Sequence, residues 1–187
     1  MIDIISAFGL SASAGLNAYI PLLVVSLLAR FTNLIQLSDQ WQALESWWII
    51  GLLVILGLVE FFADKTPAVN HINDVIQTIF RPAAGAILFA ANANVLTDIH
   101  PVLSIAAGLL VAGSVHAVKS VVVRPVVTAT TAGVGDVPVS VMEDVVATML
   151  SVFSIVIPIV VGIILLALGA LLIWWLILRT RKKQIQT

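Results

Sequence analysis

The chain has 187 residues, of which 60% are hydrophobic and 10% charged, with a net charge of -1, a mean hydropathy of +1.13 and no cysteine. A soluble domain carries about a quarter charged residues, so this chain lacks the polar surface to cover itself in water. The missing basic surplus argues against a nucleic-acid partner, and the missing cysteines exclude disulfides, thiolate metal sites and cysteine nucleophiles.

The length allows one domain, spanning 1–187. Its first residues carry no Lys or Arg ahead of an apolar run, so they read as a first helix rather than a cleaved signal peptide. A helix needs about 20 apolar residues to cross roughly 30 Å of hydrocarbon. Segment one runs from Ile4 to Phe31 and is interrupted by the small, polar stretch Ser11 to Asn17. Segment two, Trp47 to Ala63, follows a polar stretch holding Ser38, Asp39, Gln40 and Glu45. Segment three, Pro82 to Val95, has about 14 residues and is short for a crossing. Segment four runs from Pro101 to Val123. Segment five, Val145 to Leu178, would be ~50 Å long as one helix, and Pro158 in its middle marks a kink or break. The predicted fold is all-α: a polytopic transmembrane bundle of five or six hydrophobic elements with broken or re-entrant helices.

Trp47 and Trp48 open segment two, and Trp174 and Trp175 close segment five just before Arg179, Arg181, Lys182 and Lys183. Tryptophan favours the headgroup region and a basic cluster favours the cytoplasm. The tail, 179–187, is therefore expected on the cytoplasmic side of the inner membrane. The connections holding Lys65 and Arg81, and Lys119 and Arg124, belong on that side only if the crossings from segment four onward are even in number. A broken last segment or a re-entrant segment three would satisfy this.

The charges stand out against that apolar frame. With Trp48 at one interface, Glu60 lies about 18 Å and Asp64 about 24 Å along the helix. Being four apart, they project from one face, and a charge at such depth costs several kcal/mol unless paired or hydrated. Beyond Lys65, Asp74, Thr78 and Arg81 fall along one helical face, which reads as a short interfacial helix leading into segment three, with Pro82 at that segment's start. In segment four, Ser104, Gly108, Ala112, His116 and Ser120 recur at four-residue intervals, a stripe that admits a close helix neighbour within or between subunits. It turns His116, and Lys119 beyond it, away from lipid. His116 serves there either as a packed, hydrogen-bonded side chain or as a proton relay.

From Val126 to Pro138 the chain is rich in Thr and Gly and has little helical pattern. Ser140 with Glu143 fits a capping box opening the last apolar run, and Glu143 and Asp144 suit the first turn of a helix. Ser11 to Asn17 and Thr128 to Gly135 are the two candidate breaks. Each holds an Ala-Gly pair with a proline soon after, the kind of paired interruption that points to a transporter site.

The chain resembles the DUF4126 family of small bacterial membrane proteins. The residues that carry the resemblance are Gly15-Leu-Asn17-Ala-Tyr-Ile-Pro21, Glu60-Phe-Phe-Ala-Asp64-Lys65-Thr-Pro67, Asp74, Arg81-Pro82-Ala-Ala-Gly85, His116-Ala-Val-Lys119 and Ser140-Val-Met-Glu143-Asp144. The resemblance implies a multi-pass membrane protein and, as the family's name says, no defined activity. Where it leads one to expect an Asn-rich loop before Ser140, this chain has Gly133-Val-Gly135-Asp136. The string from Glu60 to Thr66 is also similar to the Glu-x-Gly-Asp-Lys-Thr motif of cation/proton exchangers, with a Glu-to-Asp spacing of four rather than three.

Three functions compete. The first is a transporter or channel for a small ion or polar solute, in which Glu60, Asp64, Lys65, Asp74, Arg81, His116, Lys119, Glu143 and Asp144 line or gate a hydrated path, and Asn17 and Ser140 sit at helix breaks. The second is a structural protein whose charges pair across helices. The third is an enzyme acting on lipid head groups, but HExxH, GxSxG and Asp-rich motifs are absent. Glu60, Asp64 and Asp74 could still hold Mg²⁺. The expectation is a non-enzyme without a cofactor, in contact with the bilayer and with a small ion or polar solute, and plausible as a homo-oligomer. The ion's sign stays open.

Overall fold

In the computed structural model, residues 2–92 and 100–184 are described. The end of segment three and the side chains of the basic tail, Arg179, Arg181, Lys182 and Lys183, lie outside the described residues. The described residues form eight α-helices and no strand. Trp47–Asp64, Ile72–Ala91, Pro101–Thr131 and Asp136–Val156 are each long and apolar enough to cross a bilayer. The protein is a membrane-embedded helical bundle.

Segment one breaks later, and more sharply, than its sequence suggests. Helix α1 (Ile2–Leu16) runs unbroken through Ser11 to Gly15, and α2 (Tyr19–Phe31) starts just after Asn17 and Ala18. The small residues are helix contacts instead of a loop. Ser11 Oγ donates to Gly85 O at 2.9 Å, and Ser13 Oγ bonds Ala147 O and Ser151 Oγ, each at 2.7 Å. At Gly15 an added Cβ would lie 2.6 Å from Ala112 O, so only glycine permits this approach. The chain then reverses. Phe8 meets Phe89 edge-to-face near one end of the bundle, Tyr19 meets Phe80 nearer the other, and Phe31 returns to Trp47. The described limbs are about 22 and 20 Å long. The two form a hairpin whose tip is Asn17. Arg30 over the Trp47 ring, 4.3 Å from its centroid, fastens the base.

Helix α3 (Trp47–Asp64) rises from that base, its N-terminus capped by Ser46 Oγ accepting from Ile49 N. Helix α4 (Pro67–Ala91) then descends antiparallel to it. Here the expected short segment three and separate interfacial helix are corrected, because α4 is one helix of 25 residues with Pro82 inside it. Pro82 removes one backbone donor, its ring lies against Gly113 on the facing helix, and close packing holds the axis. Gly85 and Gly108 oppose each other so tightly that a Cβ on Gly108 would overlap the Gly85 carbonyl. The stripe Ser104, Gly108, Ala112 and His116 of α5 (Pro101–Val118) is buried, and α4 of the same chain occupies it, so it is not left over for a second subunit.

After α5 the helix widens into a π-helical turn, Lys119–Val123, in which Arg124 N donates to Lys119 O. It continues as α6 (Arg124–Thr131), so the expected irregular stretch shrinks to the turn after Thr131, where Ala132 and Gly133 have positive φ. Its Ala-Gly pair lies in a turn, whereas Ala14-Gly15 lies inside a helix, so the two interruptions are not equivalent. Helix α7 (Asp136–Val156) begins a full turn before Ser140. Ser140 is therefore neither a cap nor a break residue, and its hydroxyl bonds Asp64 across the bundle. Segment five is broken as Pro158 suggests: α8 (Pro158–Gln184) returns antiparallel to α7. Near one end Ile163 and Leu166 share a groove with Ile4 and Phe8, and near the other Leu168 and Leu172 share one with Val139 and Met142. The α3–α4 turn, the α6–α7 turn and the C-terminal half of α8 thus lie at the same end of the bundle.

Candidate functional site

Just below that end, nine charged side chains and one histidine meet in one polar interior. Arg81 lies at its centre, 0% exposed, its Nη2 2.9 Å from Glu60 Oε1 and 3.7 Å from Asp64 Oδ2. Asp64 is the hub. Its Oδ1 accepts from Asn73 at 2.6 Å, while Oδ2 receives Arg124 Nη2 at 3.1 Å and Ser140 Oγ at 3.4 Å, with Lys119 Nζ at 3.9 Å. Glu143 bridges Lys119 at 2.8 Å and Arg124 at 3.2 Å. Nearer the rim, Arg124 lies 3.9 Å from Asp74, which is 21% exposed, and Lys65 pairs with Asp144 at 3.0 Å. Buried charges of this kind persist in an apolar bundle only when paired and hydrogen-bonded.

The local folding rules explain the convergence. Glu60 and Asp64 lie one turn apart on α3, and α4 answers with Asn73, Gln77 and Arg81 at the same interval. The buried face of α4 is thus Asn73-Gln77-Arg81, which shares Arg81 with the expected face and has Asn73 and Gln77 in place of Asp74 and Thr78. In a regular α-helix Lys119 and Arg124 would point about 140° apart. The π-helical turn between them places both inside, and such turns concentrate at functional sites.

The tip of the hairpin is wired into the same network. The carbonyls at the end of α1 lack helical partners, and Lys119 Nζ donates to one of them, Leu16 O, at 3.0 Å. Asn17 Oδ1 accepts from Tyr19 N at 3.0 Å and Ile20 N at 2.9 Å, capping α2, while its Nδ2 donates to Asp144 Oδ1 at 3.0 Å. A cation therefore faces the negative end of one half-helix, and an anion approaches the positive end of the other.

The protonation of His116 follows from its neighbours. Arg81 Nη1 lies 3.1 Å from His116 Nδ1. A guanidinium only donates, so Nδ1 accepts and the ring is neutral. Its Nε2–H then donates to Thr78 Oγ1 at 3.1 Å, and that hydroxyl donates to Asp74 O at 2.9 Å.

The structure brings together Glu60, Asp64, Lys65, Asp74, Arg81, His116, Lys119, Glu143, Asp144 and Asn17, with Ser140 as a member instead of a break. Sequence reasoning left out Arg124, Asn73 and Gln77. Arg124-Pro125 repeats the dipeptide Arg81-Pro82, a signal that could have found the first. Glu60, Asp64 and Asp74, the three acids weighed for Mg²⁺, each have an ion-pair partner, and no three His, Asp or Glu side chains gather as a metal cage among the described residues. A groove of about 540 Å³, lined by apolar residues of α5, α7 and α8, reaches Lys119 and Glu143 from the side of the bundle.

No curated protein and no solved structure matches the chain. The profile of a family described as a domain of unknown function, DUF4126, matches residues 4–178. The chain belongs to the DUF4126 family.

Proposed function

We propose that the protein is a transporter or channel for a small ion or polar solute, with the charged cluster lining or gating its path. The observation that carries this reading is the helical hairpin whose tip, at Asn17, ends against a buried charge network. Half-helices that end inside a bundle beside ionisable groups are a construction that many transporter sites use, and an ionisable group inside a membrane is a functional-site candidate by default. In this reading the basic tail is cytoplasmic, in an inner membrane, and the cluster lies toward that side. A homo-oligomer is compatible with it but not required, since α4 already covers the α5 stripe. No covalent chemistry is assigned.

A structural role has one observation in its favour: each acid of the cluster has an ion-pair partner. Proteoliposomes separate the two readings. Flux of an ion or small polar solute that Glu60→Gln or His116→Ala abolishes supports transport. Folded protein that passes none of a panel of cations, anions and small solutes supports the structural lock.

A further inference from the structure

Building on the transport reading, we propose that the site takes a monovalent cation, a proton or Na⁺, held between Glu60 and Gln77. The argument begins with the unused oxygens. Glu60 Oε2, Gln77 Oε1 and Asp74 Oδ1 are buried acceptors without a hydrogen-bond partner, and the first two belong to side chains only 1% and 2% exposed. An unmet buried acceptor costs about 1–3 kcal/mol, and one shared cation would satisfy both. Their placement makes them neighbours. Gln77 stands midway on α4 between Asn73, which holds Asp64, and Arg81, which holds Glu60. It therefore faces the gap between the two α3 carboxylates, and the Tyr19 side chain meets both Gln77 and the charge of Glu60. Arg81 Nε is also unpartnered there, a single donor against the acceptor oxygens.

The charge balance agrees. The deep layer is even, Glu60, Asp64 and Glu143 against Arg81, Lys119 and Arg124, with His116 neutral. The rim adds Asp74 and Asp144 against Lys65, so five acids face four bases and leave -1. A rim of that sign concentrates cations and repels anions. Glu60 is faced by Arg81 from α4, Tyr19 from α2, Asp64 on its own helix and Lys119 from the π-helical turn. A proton would bridge Glu60 Oε2 to Gln77 Oε1, and Na⁺ would bind both oxygens.

The test is cation binding by the full-length protein in detergent, independent of flux. In the Na⁺ arm, NaCl raises the unfolding temperature saturably and choline chloride does not. In the proton arm, infrared difference spectra on pH change show a carboxylic-acid band that Glu60→Gln removes. Gln77→Met, which keeps every ion pair intact, is expected to weaken Na⁺ about tenfold or more, or to shift that band. It carries the test if Glu60→Gln fails to fold. Neither effect in the wild type, or effects that both variants leave untouched, overturns the proposal. Anion flux without cation binding would overturn it and leave transport standing, while cation binding without any flux would do the reverse.

Discussion

Exchanging Asp64 for asparagine changes the hub's charge and almost nothing of its volume. The new amide keeps an oxygen but no negative charge beside Arg81, Lys119 and Arg124, which now lie 3.7, 3.9 and 3.1 Å from Oδ2. Removing one partner of a buried ion pair costs about 3–5 kcal/mol because the other charge is left uncompensated. In a chain of this length each kcal/mol lowers the unfolding temperature by about 2–4 °C, giving a fall of roughly 6–20 °C for Asp64→Asn. Asp74→Asn is the internal control. Its carboxylate is 21% exposed and makes one long ion pair, 3.9 Å to Arg124, so its loss is expected to cost less than that of Asp64. Thermal unfolding in detergent, followed by the fluorescence of the five tryptophans, reads both variants. A fall for Asp64→Asn no larger than that for Asp74→Asn would refute the assignment of Asp64 as the hub.

Glu60→Gln and Arg81→Met should be coupled. The double variant is expected to be less destabilised than the sum of the singles by about 1–3 kcal/mol, measured as a double-mutant cycle of unfolding. Gly108→Val drives side-chain atoms into the Gly85 backbone and should destabilise by at least about 1–3 kcal/mol, seen as loss of monodisperse protein on size exclusion. Asn17→Leu removes the cap on Tyr19 N and Ile20 N and the bond to Asp144. It should cost about 1–3 kcal/mol and speed hydrogen exchange at the start of α2 well before it affects α5.

What the sequence revealed was set by how local each signal is. Helix α3 was legible because a tryptophan pair, an apolar run and a change to polar residues bracket it directly. The broken last segment was legible because Pro158 cannot continue a helix without loss. Pro82 misled for the opposite reason: as a first helical residue it costs nothing, and only the packing of α4 against α5 shows that it lies inside a helix. Ser140 and Glu143 match a capping box letter for letter, yet their partners are Asp64, Lys119 and Arg124, far away in the chain. The interruption at Asn17 was visible, whereas the reversal there depends on contacts to α3, α4 and α7. The widened turn that rotates Arg124 inward has no residue code of its own. The candidate site was thus readable as a set of residue types placed too deep for lipid, and its wiring emerged only with the tertiary packing.

The absence of native cysteine makes the decisive measurement simple, because any introduced thiol is the sole one. A path must open to carry solute, so Ser140→Cys in native membranes should react with a small, membrane-impermeant thiosulfonate added on the side of the C-terminal tail. Val59→Cys, on the exposed apolar face of α3, should stay inert from either side. Ser140→Cys as unreactive as Val59→Cys from both sides would contradict a conducting interior and leave the charges as a lock between helices.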